Sequence, residues 1–266
     1  MRSAFNLDAS VRAFGSWVYP TLKHQADLDR YATVIASTQP TAVVEAGTRN
    51  GASADWFATN PGVRLVVTID IQPTSPGPAV RFWNKPRPVR TYGDTRDIDT
   101  CAIHTLKGSS TWPDLVAYVE ELTAGHRVMV SLDSDHSRDH VFHEIERYAP
   151  LVSPGCYLVV EDGIIAFLPA DVHEQHGCGI YTGTVLDAIG QADRCRLLDA
   201  FEHDAEIEGT QGGITMNPGG WWRKRQPGEP STGWQPIAGG LYWAPIGTPA
   251  DELPAVLPVP DGIEAP

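Results

Sequence analysis

In the stretch SLDSDHSRDHVFHEIERYAPLVSPGCYLVVED (131–162), Asp133 closes one apolar run, and Glu161 with Asp162 closes the next. If these runs are neighbouring strands, about 4.8 Å apart, three carboxylates converge at the sheet edge where open α/β folds bind ligands. Uncompensated acids repel, and a divalent cation relieves the repulsion; carboxylate oxygens with room for water and substrate suit Mg²⁺ better than zinc. His136, His140 and His143 follow i, i+4, i+7 spacing, which on a helix shares one face and could hold zinc. His136 and His140 with Asp133 could instead form a two-histidine, one-carboxylate iron site. Against both, Val141, Ile145 and Tyr148 supply a core stripe that leaves His140 and His143 as border or solvated residues. His136 differs, because it falls in the loop between Asp133 and the helix, in the prospective cleft. Asp135 and Ser137 are the residues suited to capping that helix.

A second group lies upstream. In VVEAGTRNGASADWFA (43–58) a buried strand delivers Glu45 and Gly47 to a turn, and Gly51 and Ser53 open the next helix. Glycine at such a turn lets backbone approach a ligand closely. The spacing is E-x-G-x-x-x-G rather than the G-x-G-x-x-G of dinucleotide folds, which disfavours an NAD-dependent oxidoreductase. One strand later VVTIDI ends in Asp70, placed to accept both hydroxyls of a ribose. Alone, each feature reads equally as a turn glycine or a strand-end acid; one strand apart, they suggest a nucleoside site.

The elements that must position these groups alternate. Strands are predicted at 42–47, 64–71, 127–133 and 156–162, each apolar almost throughout, as in a parallel sheet buried on both faces. Helices are predicted at about 25–38, 52–59, 114–124, 138–148 and 184–192. RCRLLDAF (194–201) and GGITMNP (212–218) are the candidates to close the sheet. Four prolines in 75–88 obscure residues 72–100, read as loop with one short helix. The expected fold is α/β, Rossmann-like, with helices on both faces of a mostly parallel sheet.

Nine of the 22 prolines fall after Arg225, so a domain over 1–225 and a Pro/Gly-rich tail over 226–266 are expected. Each proline removes a backbone donor, and such a tail resists regular structure. GWQPIAGGLYWAP (233–245) suggests that part of it packs on the domain or on a second subunit. The net charge of −13 gives little attraction for a polyanion, which argues against nucleic acid. Four scattered cysteines form no C-x-x-C pair and read as reduced thiols. No signal-peptide pattern or membrane-length apolar run is evident, so a cytoplasmic protein without membrane association is expected.

The segments VVEAGTRNGAS, VVTIDI, LKGSST, LDSDHSRDHVFHEIERYAPLVSPGCYLVVED and MNPGGWWRKR resemble, in that order, the cephalosporin hydroxylase family. Despite its name, that family groups with rhamnosyl O-methyltransferases and has the class I methyltransferase fold that uses S-adenosylmethionine. The resemblance covers about residues 15–225. It implies a magnesium site at Asp133, Glu161 and Asp162, with His136 as general base. It implies that Glu45, Gly47, Thr48, Gly51, Ser53 and Asp70 line the cofactor, with Ser109 or Ser110 near the adenine. Related enzymes imply a homo-oligomer.

The sequence departs from the family at Ala52, in GIYTGTVLDAI, and at Gly163 with Ile164. These positions lie mostly around the implied acceptor loop, 163–183, and leave the acceptor open. The expected activity is Mg²⁺-dependent O-methylation of a small hydroxylated substrate, a sugar or polyhydroxylated natural product. An oxidative hydroxylase and a non-catalytic nucleoside-binding protein are the alternatives.

Overall fold

The structure, a computed structural model, describes residues 5–18, 21–71, 101–168, 183–231, 234–237 and 242–245. Its helices are α1 (Leu7–Ala13), α2 (Gln25–Thr38), α3 (Ala52–Ala58), α4 (Pro113–Thr123), α5 (Arg138–Tyr148), α6 (Val185–Arg194) and α7 (Ala205–Glu208). A two-residue ribbon, β1 (Trp17–Val18) with β2 (Lys23–His24), precedes α2.

The main sheet contains β3 (Ala42–Ala46), β4 (Leu65–Asp70), β5 (Ala102–Lys107), β6 (Val128–Leu132), β7 (Tyr157–Val160), β8 (Phe201–His203) and β9 (Trp221–Lys224). Their spatial order is β5-β4-β3-β6-β7-β9-β8. The first five are parallel, and β9 runs antiparallel to both β7 and β8. The chain moves outward from β3 to β5, then returns to place β6 beside β3. The strand order therefore reverses between β3 and β6, the position at which open α/β sheets bind ligands. Right-handed crossovers then put α3 and α5 on opposite faces.

The register sets the site. Ala46 stands opposite Ile69 on one side and Leu132 on the other, and Leu132 opposite Val160. Gly47, Asp70, Asp133 and Glu161 consequently follow at one edge of the sheet. All residues of β3, β6 and β7 are buried, which explains why they are apolar apart from Glu45 and Ser131. Tyr31 of α2 packs between Phe57 and Trp221, with ring centroids 5.1 and 5.0 Å away. Burial of each such aromatic side chain contributes about 2–3 kcal/mol.

Two expected closing strands lie elsewhere. Residues 194–201 mostly complete the end of α6 and a turn in which Arg196 has φ 65°, and the strand begins only at Phe201. GGITMNP contains Gly212 and Gly213 at φ 70° and 75° and forms a turn and loop; the strand is the following WWRK. β5 occupies a position for which no strand was predicted. The Pro-rich end contains an antiparallel pair, β10 (Trp234–Ile237) and β11 (Tyr242–Pro245), so its prolines do not prevent pairing there. The predicted loop at 72–100 lies outside the described residues. No described helix is long and apolar enough to cross a membrane.

Candidate functional site

One cavity of about 740 Å³ opens at the carboxyl edge of the sheet and extends across the β3/β6 reversal. Gly47, Thr48, Ser53, Asp70, Ser109, Ser110, Asp133, His136, Glu161 and Asp162 all line it. Glu45 and Gly51 do not. Glu45 is buried and does not reach the cavity wall; Oε2 accepts the Thr68 hydroxyl at 2.6 Å and Oε1 has no hydrogen-bond partner among the described residues. Burial pushes its carboxyl up to about 7, against the pull of Lys23. Gly51 is the N-cap of α3, with φ 79°.

At the β4 end of the cavity, the Asp70 carboxylate accepts the Arg49 backbone N–H at 2.7 Å, which fixes the acid beside the β3–α3 turn. Gly47 has φ 94°, and a Cβ there would fall 1.7 Å from the Asp133 carbonyl oxygen. The turn glycine therefore admits protein backbone, and through it aligns β3 with the residue that closes β6. Asp133 N–H donates to the Ala46 carbonyl at 2.8 Å, continuing the same contact.

At the acidic end, Asp133, His136 and Asp162 offer three ligand atoms that all lie within 4.8 Å of one another. His136 Nε2 is 3.3 Å from Asp162 Oδ2. Asp162 adopts φ 60°, uncommon for a non-glycine residue, and its N–H donates to the Asn217 side-chain oxygen at 3.0 Å. Asn217 is buried, lines the cavity, and its Nδ2 has no partner among the described residues. The two carboxylates of this cluster, in a polar cavity with room for water, fit a divalent cation of the Mg²⁺ or Mn²⁺ kind, with the imidazole beside it.

Glu161 faces a different set. Its Oε1 accepts from Lys23 Nζ at 2.6 Å, Tyr31 Oη at 2.6 Å and Ser131 Oγ at 2.5 Å. Lys23 also reaches Asp133 Oδ2 at 2.8 Å. Burial pushes the Glu161 and Asp133 carboxyls up from the usual range, and the Lys23 ammonium opposes that shift in both. Lys23 itself is held well above the ordinary lysine value, because Asp133, Glu161 and Glu45 outweigh its own burial.

The three histidines do not share a helix face. His136 precedes α5, while His140 Nε2 lies 3.0 Å from Ser110 Oγ and 3.3 Å from Glu144 Oε1. His140 lines the cavity and is not a solvated bystander. His143 is exposed beside Glu146. Neither the zinc trio nor the two-histidine iron set is assembled among the described residues. Ser137 is the N-cap of α5 without a side-chain cap bond, and Asp135 accepts the Ser137 N–H at 2.8 Å.

Sequence reasoning did not single out Lys23, Asn217, Arg49 or Trp17, all of which line the cavity. Lys23 sits 110 and 138 positions from its two carboxylates, and no local spacing signals that pairing. The segment 163–183, expected to be the acceptor loop, begins as a short 3₁₀ helix, Gly163–Phe167, and residues 169–182 lie outside the described set.

The family model for rhamnosyl O-methyltransferase/CmcI matches residues 11–225. A rhamnosyl O-methyltransferase of Mycobacterium bovis is 30% identical over 233 residues, covering 80% of this chain and 84% of the relative. One from Mycobacterium leprae is 28% identical over 210 residues, covering 73% and 80%. An apo structure of CmcI superposes with a TM-score of 0.49 at 18% identity, covering 77% of this chain and 73% of that one.

Proposed function

The chain belongs to the rhamnosyl O-methyltransferase/CmcI family, and from that membership and the site geometry we propose that it is an S-adenosylmethionine-dependent O-methyltransferase. Its proposed acceptor is a hydroxyl of a sugar or polyhydroxylated natural product, and its proposed metal is Mg²⁺. The observation that carries this reading is the placement of Asp70 and the Asp133, His136, Asp162 cluster on one cavity, at opposite sides of the strand reversal.

Asp70 would receive the ribose hydroxyls, while Gly47, Thr48, Ser53 and Ser109 or Ser110 border the rest of the nucleoside; Glu45 supports that wall from beneath. Asp133 and Asp162 would hold the cation, with Glu161 joining them through the oxygen that Lys23 does not occupy. When bound, a divalent ion lowers the pKa of a coordinated alcohol and orients it.

An alcohol is a weak nucleophile at neutral pH, so its proton must leave as the oxygen attacks the sulfonium methyl. His136, 3.3 Å from Asp162, would accept that proton as general base. The neighbouring carboxylate stabilises the imidazolium that results. Such assistance is typically worth about 10² to 10⁴ in rate. Asn217 fixes the backbone of Asp162 and so keeps its carboxylate towards His136.

The test is methyl transfer from S-adenosylmethionine to a panel of glycosides, read by mass spectrometry with and without a chelator. Gain of one methyl group, lost with chelator and restored by Mg²⁺, supports the proposal. Oxygen insertion in place of methylation, dependent on iron and oxygen, would favour a hydroxylase instead.

A further inference from the structure

We propose that Lys23 is a positioning residue of this site, a fixed counter-charge that holds Asp133 and Glu161 in place and leaves the acidic edge one divalent ion short of neutrality. The inference rests on the methyltransferase reading above and concerns a residue outside the acidic motifs.

The geometry is specific. Lys23 Nζ lies 2.6 Å from Glu161 Oε1 and 2.8 Å from Asp133 Oδ2, and the lysine side chain is only 3% exposed. Its ammonium also sits 5.8 Å from the Tyr31 ring centroid, and Tyr31 shares Glu161 with it. A lysine reaches this depth because β1 and β2 form a ribbon that turns the chain inward; Val18 pairs with Lys23, and Leu22 before it takes φ 59°. Burial of an ammonium is costly unless it is paired and hydrogen-bonded, and here two carboxylates satisfy it.

The charge balance gives this arrangement a consequence. Among the described residues, Lys23 is the ammonium that Asp133 and Glu161 share; with Asp133, Glu161 and Asp162 ionised and His136 neutral, these side chains together with Lys23 carry two net negative charges, the charge of one divalent cation. Removal of Lys23 would leave three. A cation would then bind more tightly, while Asp133 and Glu161, freed of their shared donor, would lose the orientation that the reaction needs. A purely structural salt bridge would act in the opposite sense, because loosening the site weakens metal binding.

The experiment uses full-length protein, Mn²⁺ as spectroscopic probe and S-adenosylhomocysteine as the nucleoside. Lys23→Met should bind Mn²⁺ at least about tenfold more tightly than wild type, since a like charge a few ångströms from the metal is gone. Its kcat should fall at least about tenfold while the methyl-donor KM stays within about threefold, the signature of lost transition-state geometry. A folded Lys23→Met protein with unchanged or weaker Mn²⁺ affinity overturns the inference.

If that variant does not fold, Lys23→Gln removes the charge but keeps a hydrogen-bond donor towards the two carboxylates. Its Mn²⁺ affinity should also rise at least about tenfold over wild type; unchanged or weaker affinity overturns the inference. Wild-type protein that binds neither Mn²⁺ nor S-adenosylhomocysteine would instead sink the methyltransferase reading itself.

Discussion

The carbonyl oxygen of Asp133 occupies the space that a Cβ on residue 47 would need, 1.7 Å from its ideal position. This contact crosses the strand reversal between β3 and β6, and it joins the glycine of the proposed nucleoside turn to an acid of the proposed metal site. Gly47→Ala should therefore disturb both halves together. Backbone cannot yield as a flexible side chain can, and φ 94° adds strain. A stability loss of about 3 kcal/mol is expected by urea denaturation, with weakened Mn²⁺ binding in whatever protein remains folded.

His136 and Asp133 should separate by readout. His136→Gln is expected to lower kcat by about 10² to 10⁴ with Mn²⁺ affinity within about threefold of wild type, as loss of a general base requires. Asp133→Asn should weaken Mn²⁺ binding by more than about tenfold, as loss of a charged oxygen ligand requires. Loss of metal binding in His136→Gln would instead make the imidazole a ligand.

Glu45 makes stability depend on pH. Its carboxyl is raised from 4.5 to about 7 by burial, so the folded state favours the protonated form. The associated stability is fully present below about pH 4.5 and is lost as pH rises through about 7. Linkage makes the slope between those two pH values negative, with a total change on the order of a few kcal/mol. Glu45→Gln should remove that slope, and urea titrations from pH 4.5 to 8 check it; parallel curves for variant and wild type would contradict the assignment.

Arg30 binds the sheet-closing segment to α2. Its guanidinium donates to the carbonyls of Ile207, Glu208, Thr210 and Ile214 and to Asp27, all at 2.6–3.0 Å, and it is fully buried. Arg30→Met leaves Asp27 without its cation and removes the guanidinium from all four carbonyls, of which Ile207 and Thr210 keep other donors. A destabilisation of about 3–5 kcal/mol is expected in thermal or denaturant unfolding.

The legible and illegible parts of this molecule differ for physical reasons. Strands β3, β4, β6 and β7 announce themselves because a parallel sheet buries both faces, and the acids that end them fall at the ligand edge. β5 escaped notice because AIHTLK, at the sheet margin, mixes polar with apolar residues. The antiparallel closing strands were misplaced because RCRLLDAF carries an apolar run that a positive-φ arginine turns away, while WWRK reads as a basic cluster. Lys23 and Asn217 were invisible for another reason. Their roles arise from pairings across the fold, which no short motif encodes.

The most direct test is diffraction from crystals grown with S-adenosylhomocysteine and Mn²⁺, using the anomalous signal of the metal. The account requires ribose hydroxyls at Asp70 and a manganese peak bound by Asp133 and Asp162 beside His136. A nucleoside lying away from Asp70, or a metal peak away from those carboxylates, would contradict it.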